Sequence, residues 1–192
     1  MQHMRWMRPS MMAALMVSAL LPLARAQSAP DAATWAPAPL AWLPFENAVQ
    51  AAAQQNKQVL VDIYAPWCGW CRRMHEEIYT DPAVKSHLNQ HFILTRLNTS
   101  EYEQNVSYRE YDLTEAELAA GFGAEGTPTT VFLAADGTYV TRLGGYPKNL
   151  MTATDPPRSA AAEFLHVLQY ISSGAYQTQD FQEYAQGLGD DR

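Results

Sequence analysis

The chain has 192 residues, of which 47% are hydrophobic, and its 13 Lys and Arg against 20 Asp and Glu give a formal net charge of -7. That length predicts one domain with a sizeable core, flanked by irregular segments. The acidic balance disfavours a nucleic acid as partner, because nucleic-acid-binding domains present a basic surface.

The first 26 residues have the pattern of a secretory signal peptide. Arg5 and Arg8 precede an apolar run from residue 11 to residue 23, and Ala24-Arg25-Ala26 supplies a small-x-small cleavage motif. We expect cleavage before Gln27 and a periplasmic mature chain, whose charge falls to -10 because three arginines and no acid are removed. The alternative is a retained membrane anchor, which the shortness of the run disfavours. The arginines are not adjacent, so the pattern is not a twin-arginine signal.

Residues 27–44 are rich in Ala and Pro, which predicts an extended leader that ends as the domain begins near Trp42. Residues 45–173 are predicted to form the domain, and residues 174–192 a tail with a short amphipathic helix. Apolar spacing predicts the elements of the first half in this order: helix 45–56, strand 58–64, helix 68–79, helix 82–89, strand 92–97.

The second half begins with residues 98–112, which contain three tyrosines and show no clear period, and we predict a surface loop with a helical turn. Thr114 with Glu117 three residues later predicts a capping box, which opens a helix that runs to about residue 122.

Asp136-Gly137 is a strong hairpin signal between predicted strands 129–134 and 138–144. A last long helix is predicted over 159–172. The connection 145–158 is long for a strand-to-helix loop, and it is either a partner-binding rim or a solvated insertion.

The only two cysteines, Cys68 and Cys71, stand where the strand passes into the helix. One helical turn separates them, so they can close a disulfide with each other. The first turn of a helix carries unpaired backbone N–H groups and partial positive charge, which stabilise a thiolate at Cys68. We therefore expect Cys68 to attack and the deeper Cys71 to resolve the mixed disulfide.

Half of a structural zinc site is the alternative for a C-x-x-C pair, and it needs two further ligands. The chain has no second cysteine pair, and among its five histidines only His87 and His91 have, formally, the spacing of ligands. Redox chemistry is therefore favoured and no metal is predicted.

The element order resembles the thioredoxin fold, an α/β fold with a central mixed β-sheet flanked by helices. Trp67-Cys68-Gly69-Trp70-Cys71 looks like the W-C-x-x-C motif of that family, and Gly126-Thr127-Pro128-Thr129 looks like its cis-proline loop. Within the family, the chain is similar to the periplasmic thioredoxin-like domain of the DsbD reductase and to SoxW-type thioredoxins. The resemblance implies that Thr127 offers its backbone to a substrate strand beside Cys68, with Pro128 in cis; an ordinary trans proline is the alternative.

The same resemblance implies that Asp62, on the strand before the cysteines, assists proton transfer at Cys71. A raised pKa would suit that role, since burial disfavours the charged carboxylate. The structural alternative is that Asp62 binds backbone groups or Arg96, which stands where thioredoxins often have lysine and cannot itself carry the proton. His75 is expected to be a helix-surface histidine with no role.

Trp67, Gly69 and Trp70 complete the predicted substrate-binding surface, with core packing as the alternative for Trp67. Gly69-Trp70 departs from the Gly-Pro of common thioredoxins, and this dipeptide influences the reduction potential.

Together these features predict an exported thiol-disulfide oxidoreductase that reduces protein disulfides through a mixed disulfide, with no cofactor beyond the Cys68–Cys71 disulfide. Its expected partners are protein disulfides or dithiols and a membrane thiol electron donor of DsbD type, and we expect a monomer. An oxidant or isomerase is one alternative. A non-catalytic, chaperone-like module that binds clients on a thioredoxin scaffold is the other.

Overall fold

The central feature is a five-stranded mixed β-sheet with helices on both faces, in a computed structural model that describes residues 38–150 and 158–190. The strands are β1 Trp42–Leu43, β2 Gln58–Tyr64, β3 Phe92–Asn98, β4 Asn105–Tyr108, β5 Tyr111–Thr114, β6 Thr129–Leu133 and β7 Tyr139–Gly144. The helices are α1 Phe45–Gln55, α2 Gly69–Glu77, α3 Pro82–His91, α4 Glu115–Gly121, α5 Ala160–Ser172 and α6 Phe181–Asp190, with a 3₁₀ turn at Ala175–Gln177.

The sheet order is β1-β3-β2-β6-β7. Strands β1 and β2 run parallel to β3, whereas β6 runs antiparallel to β2 and to β7. This arrangement confirms the predicted α/β, thioredoxin-like fold with a central mixed sheet.

Strand β2 is buried on both faces, which explains its nearly continuous apolar sequence. Alternate side chains enter different cores. Leu60 packs with residues of α2, α3 and α5, whereas Val61 packs on the opposite side with residues of α1 and α4. By the same alternation, Asp62 lies on the α2 face of the sheet, at the place where an apolar residue would continue the core.

Local sequence signals set the helix starts. Asp81 accepts hydrogen bonds from the backbone N–H groups of Ala83 and Val84, and Pro82 occupies the first turn of α3, where no N–H is needed. The capping box of Thr114 and Glu117 is present at the start of α4, as predicted.

The prediction of a surface loop with a helical turn over residues 98–112 was wrong. Strands β4 and β5 form an antiparallel hairpin instead. Only Val106 of these eight strand residues is buried. The two strands therefore lack the alternation of apolar and polar residues by which a half-buried strand is predicted from sequence. Contacts with distant residues hold the hairpin: Ser107 N–H donates to Glu46, and the Tyr108 hydroxyl donates to the Gly137 carbonyl.

Strand β1 lies within residues 27–44, so the end of the predicted leader packs on the domain. In the tail, α6 forms the predicted amphipathic helix, and Phe181 packs on Tyr170 of α5. The signal peptide predicted over 1–26, residues 27–37 and residues 151–157 of the long connection lie outside the described residues. Among the helices that are described, none has both the length and the apolar character needed to cross a membrane.

Candidate active site

Cys68 and Cys71 are joined by a disulfide at the junction of β2 and α2, with 5.3 Å between their Cα atoms. Cys68 is the N-cap of α2, and its Sγ accepts a hydrogen bond from the Cys71 N–H at 3.0 Å. That N–H, together with the partial positive charge of the helix start, would stabilise a thiolate at Cys68 after reduction. Cys68 is 5% exposed and Cys71 is fully buried, so Cys68 is the more accessible sulfur.

Two tryptophans border this disulfide on the outside. Trp67 is 76% exposed and Trp70 is 55% exposed. The exposure of Trp67 rules out the core-packing alternative for that residue, and Gly69 between the two cysteines is also exposed. Exposed aromatic rings next to a reactive pair are typical of a surface that another protein covers.

The Gly126-Thr127-Pro128 loop lies at the same edge of the sheet. Thr129, the first residue of β6, pairs with Ile63 near the end of β2, and the chain reaches Cys68 shortly after that end. The Thr127–Pro128 peptide bond is cis, as the resemblance implies, and the Pro128 carbonyl accepts a hydrogen bond from the Gly145 N–H at 2.8 Å. Pro128 is buried, whereas Thr127 is half-buried.

A buried polar cluster surrounds Asp62. Its Oδ2 atom lies 2.6 Å from Nε2 of His75 and accepts a hydrogen bond from Nε of Arg96 at 3.1 Å. The Tyr79 hydroxyl donates to Oδ1 at 3.4 Å. Asp62 is therefore paired, as a buried carboxylate must be to avoid a large desolvation cost.

These partners decide the pKa of Asp62. Burial raises the pKa of this carboxyl, but the interactions with His75 and Arg96 outweigh burial and hold the pKa below its ordinary value. Asp62 therefore does not have the raised pKa that would suit a proton-transfer role. The bond to Arg96 is the contact that the structural alternative for Asp62 predicts, and a catalytic role for Asp62 stays a prediction.

A second polar cluster supports Trp70 from outside. The guanidinium of Arg73 lies 5.4 Å from the ring centroids of both Trp70 and Tyr146, and the two rings are also 5.4 Å apart. Glu77 accepts hydrogen bonds from Arg73 at 2.8 Å and from the Tyr146 hydroxyl at 2.6 Å. Burial and the bond to Glu77 raise the pKa of Tyr146 to about 12, so its hydroxyl stays a donor at neutral pH.

Residues 45–153, more than half of the chain, match the family model described as a thioredoxin-like domain. The chain belongs to the thioredoxin-like family. Among solved structures it is similar to a thioredoxin from Thermus thermophilus, at 27% identity and a TM-score of 0.50, covering 69% of this chain and 86% of that one. The chain is also similar to a thioredoxin-fold protein from Helicobacter pylori, at 23% identity and a TM-score of 0.53. This match covers 71% of this chain and 82% of that one, and it supports the fold.

Curated relatives of this thioredoxin-like chain carry names from disulfide chemistry. Thiol:disulfide interchange protein DsbD of Vibrio vulnificus is 31% identical over 131 residues, which are 67% of this chain and 18% of the relative. Disulfide bond reductase DsbH of Chlamydia pneumoniae is 26% identical over 113 residues, 58% of this chain and 67% of the relative. A protein disulfide-isomerase of Hordeum vulgare is 28% identical over 100 residues, 52% of this chain and 17% of the relative. The chain thus spans less than a fifth of the isomerase and of DsbD.

The sequence analysis missed two residues of this site, and the first is His75. It is not on the helix surface but buried, and both of its ring nitrogens are engaged, with Asp62 and with the backbone of Ala38. The signal was present in the spacing of α2. Cys71, Met74 and Ile78 define its buried face, and position 75 lies on that face, one turn after Cys71. Tyr146 was also missed, because it reaches Glu77 from a connection that has no regular period.

Proposed function

We propose that this chain is an exported thiol-disulfide oxidoreductase that reduces disulfides of other proteins. The observation that carries the proposal is the Cys68–Cys71 disulfide, with the Sγ of Cys68 held at the N-terminus of α2. The relatives named as disulfide interchange protein and disulfide bond reductase support the same chemistry.

The reaction proceeds in two displacements after the pair has been reduced. The Cys68 thiolate attacks one sulfur of a client disulfide, which breaks the client S–S bond and forms a mixed disulfide; the other client sulfur leaves as a thiolate. Cys71 then loses its proton and attacks the sulfur of Cys68. The Cys68–Cys71 bond forms and the second client sulfur leaves with its electron pair. The client has gained two electrons, and a thiol donor must reduce the pair again.

The surroundings of the pair have separate roles in this proposal. Trp67, Gly69 and Trp70 form the surface on which the client lies. Thr127 offers its backbone to an extended client segment beside Cys68, and Pro128 holds that loop in place. Asp62 assists proton transfer at Cys71.

The signal peptide predicted over residues 1–26 supports a periplasmic location for the mature chain, in a compartment where structural disulfides form and persist. A membrane dithiol of DsbD type is the donor class that would return electrons to an exported reductase.

Trapping of clients tests the two cysteine roles. In the Cys71→Ser variant, Cys68 can attack but nothing resolves the complex, so covalent client complexes accumulate on non-reducing gels. The matched Cys68→Ser variant keeps the deeper sulfur alone and should trap few or none. Equal trapping by the two variants would contradict the assignment of roles.

A non-catalytic client-binding module is the competing function, and the Cys68→Ser/Cys71→Ser double variant separates it. A binding module would protect an aggregating client as well without its cysteines as with them. We expect the double variant to lose disulfide reduction entirely. If the double variant still functioned in an export-dependent complementation assay, the proposal that the chain acts as an enzyme would be rejected.

A further inference from the structure

His75 lies between the backbone of Ala38 and the carboxylate of Asp62. The Ala38 N–H donates to Nδ1 of His75 at 3.0 Å, and Nε2 of the same ring lies 2.6 Å from Oδ2 of Asp62. His75 is 1% exposed and Asp62 is fully buried, so both contacts are removed from bulk water.

The donor at Ala38 fixes the proton arrangement of the imidazole. A backbone N–H can only donate, so Nδ1 must accept and carries no hydrogen. The single ring proton then lies on Nε2, which donates to Asp62. A charged imidazole would direct a second N–H at the Ala38 N–H.

This arrangement makes the two oxygens of Asp62 unequal. Oδ2 accepts from both His75 and Arg96, whereas Oδ1 has the longer contact with the Tyr79 hydroxyl at 3.4 Å. Burial and the charge of Asp62 raise the pKa of Tyr79 well above its ordinary value, so that hydroxyl keeps its proton. Oδ1 is therefore the oxygen better able to take up another proton.

The cluster lies one helical turn from the resolving cysteine. His75 follows Cys71 by four residues on α2, and such positions are neighbours on one helix face, roughly 5–6 Å apart at Cβ. Asp62 precedes Tyr64 by two residues on β2, so both side chains lie on the same face of the sheet. Tyr64 and Cys71 pack in one buried cluster, and His75 contacts Asp62. Helix and strand thus bring Asp62 toward the sulfur that must lose a proton.

We infer that His75, fixed by the backbone of Ala38, is a positioning residue that keeps Asp62 in place as the ionised carboxylate to which Cys71 transfers its proton. The inference rests on the proposed dithiol mechanism and extends it to residues 38–43. In the resolving step, the S–H bond of Cys71 breaks and its proton passes to Asp62. The Cys71 sulfur bonds to the sulfur of Cys68, and the client sulfur leaves with its electron pair and is protonated by solvent. Asp62 afterwards returns its proton to water.

Residues 38–43 are built into this site. The Trp42 indole N–H donates to the Ala38 carbonyl at 3.1 Å, and the Trp42 ring lies 5.4 Å from the His75 ring. Strand β1 pairs with β3, where Trp42 aligns with Leu94 and Leu43 with Thr95. The segment therefore fixes the donor that selects the state of His75.

The charged and titratable groups around His75 come from several elements. Asp62 contacts it from β2, and Tyr79, just after α2, packs against its ring. Arg96 of β3 reaches the same carboxylate, and Cys71 lies one turn earlier on α2. Glu115 of α4 interacts with Arg96 in turn, and burial raises the pKa of this glutamate. A pH profile of the resolving step therefore reports on the whole group, so variants are needed to isolate His75.

Nitrogen NMR shifts of the His75 ring test the inference on the unaltered mature chain. We expect the neutral ring with the proton on Nε2 at neutral pH. A charged ring, or a neutral ring with its proton on Nδ1, would overturn the inference without any substitution.

The kinetic test uses the reduced mature chain and dithio-bis-nitrobenzoate. Attack by Cys68 releases a first coloured thiolate and leaves a mixed disulfide; attack by Cys71 then releases a second. His75→Leu should slow only the second release, by about tenfold or more at neutral pH, as for loss of a positioned base, and should shift its pH midpoint upward. His75→Gln, which can still donate to Asp62, should restore most of the rate.

A backbone variant tests the Ala38 contact directly. Ala38→Pro removes the donated N–H and should slow the second release as His75→Leu does, whereas the matched Ala38→Gly keeps the N–H and should not. An unchanged second release with an unchanged pH profile in His75→Leu refutes the positioning role. Absence of any second release from the unaltered chain would instead refute the proposed dithiol mechanism. If His75→Leu does not fold, the inference is tested instead by the nitrogen shifts of the His75 ring, by His75→Gln, and by the comparison of Ala38→Pro with Ala38→Gly.

Discussion

Replacement of Arg96 by Met should destabilise the oxidised chain strongly, because it leaves Asp62 as a buried carboxylate without its cation. Asp62 is fully buried and bonded to Arg96 at 3.1 Å, and removal of one partner of such a pair costs about 3–5 kcal/mol. The guanidinium also lies 3.7 Å from the ring centroid of Tyr64, and that contact contributes about 0.5–2 kcal/mol. Met keeps most of the aliphatic packing of the arginine stem.

The matched control is the Asp62→Leu/Arg96→Met double variant, which removes both charges. Both variants lose the Tyr64 contact, so the penalty that the double variant adds is the lost acceptor of His75, about 1–3 kcal/mol for an unsatisfied buried donor, together with the longer contact from Tyr79. The double variant should therefore be more stable than Arg96→Met alone, although it carries more substitutions.

Urea unfolding at neutral pH, followed by tryptophan fluorescence, measures both free energies. The pH adds a second readout. Without Arg96 the pKa of Asp62 rises, so the folded variant takes up a proton more readily and its deficit relative to the unaltered chain shrinks as the pH falls. A cost for Arg96→Met under about 1 kcal/mol, or a double variant that is less stable than the single one, would refute the buried-pair reasoning.

Three further predictions concern the client surface, the acid limb and a helix cap. Trp70→Ala should raise the KM for a protein disulfide and leave the reaction with a small disulfide unchanged. The control is Tyr111→Ala, which removes an exposed aromatic side chain of the β4–β5 hairpin and should alter neither reaction. Equal effects of Trp70→Ala on both substrates would contradict a docking role. The pKa of Asp62 is lower in the folded chain than in the unfolded chain, so its ionised form stabilises the fold fully above the unfolded pKa, and this stabilisation is lost as the pH falls below about 4. In urea titrations, Asp62→Asn should therefore lower the free energy of unfolding less in acid than at neutral pH. A loss that does not change with pH would count against this. Thr114→Ala should cost about 0.5–2 kcal/mol in the same titrations, since it removes the acceptor for the Glu117 N–H, and no loss would mean that the cap does not stabilise α4.

The central strands and the position of the cysteine pair could be predicted from the sequence because their signals are local. The run from Val59 to Tyr64 is apolar enough to specify a strand buried on both faces, and Cys68 follows where the periodicity changes to that of a helix. The caps at Asp81 and Thr114 needed only residues within three positions.

The hairpin of β4 and β5 and the His75 contact could not be obtained in that way. Ser107 is held by Glu46, sixty-one residues away, and His75 by Ala38, thirty-seven residues away. Long-range pairing of this kind leaves no period in the sequence. The direction of the Asp62 pKa shift could not be predicted from the sequence for the same reason, because it depends on His75 as well as on burial.

The equilibrium reduction potential of the purified mature chain tests the proposed reductase most directly. Titration against glutathione or dithiothreitol, followed by tryptophan fluorescence, gives the value for the Cys68–Cys71 couple. We predict a potential near the thioredoxin value of about -270 mV, which suits a reductase supplied by a membrane dithiol. A value of about -120 mV would contradict the account and assign the chain to the oxidants of newly exported thiols.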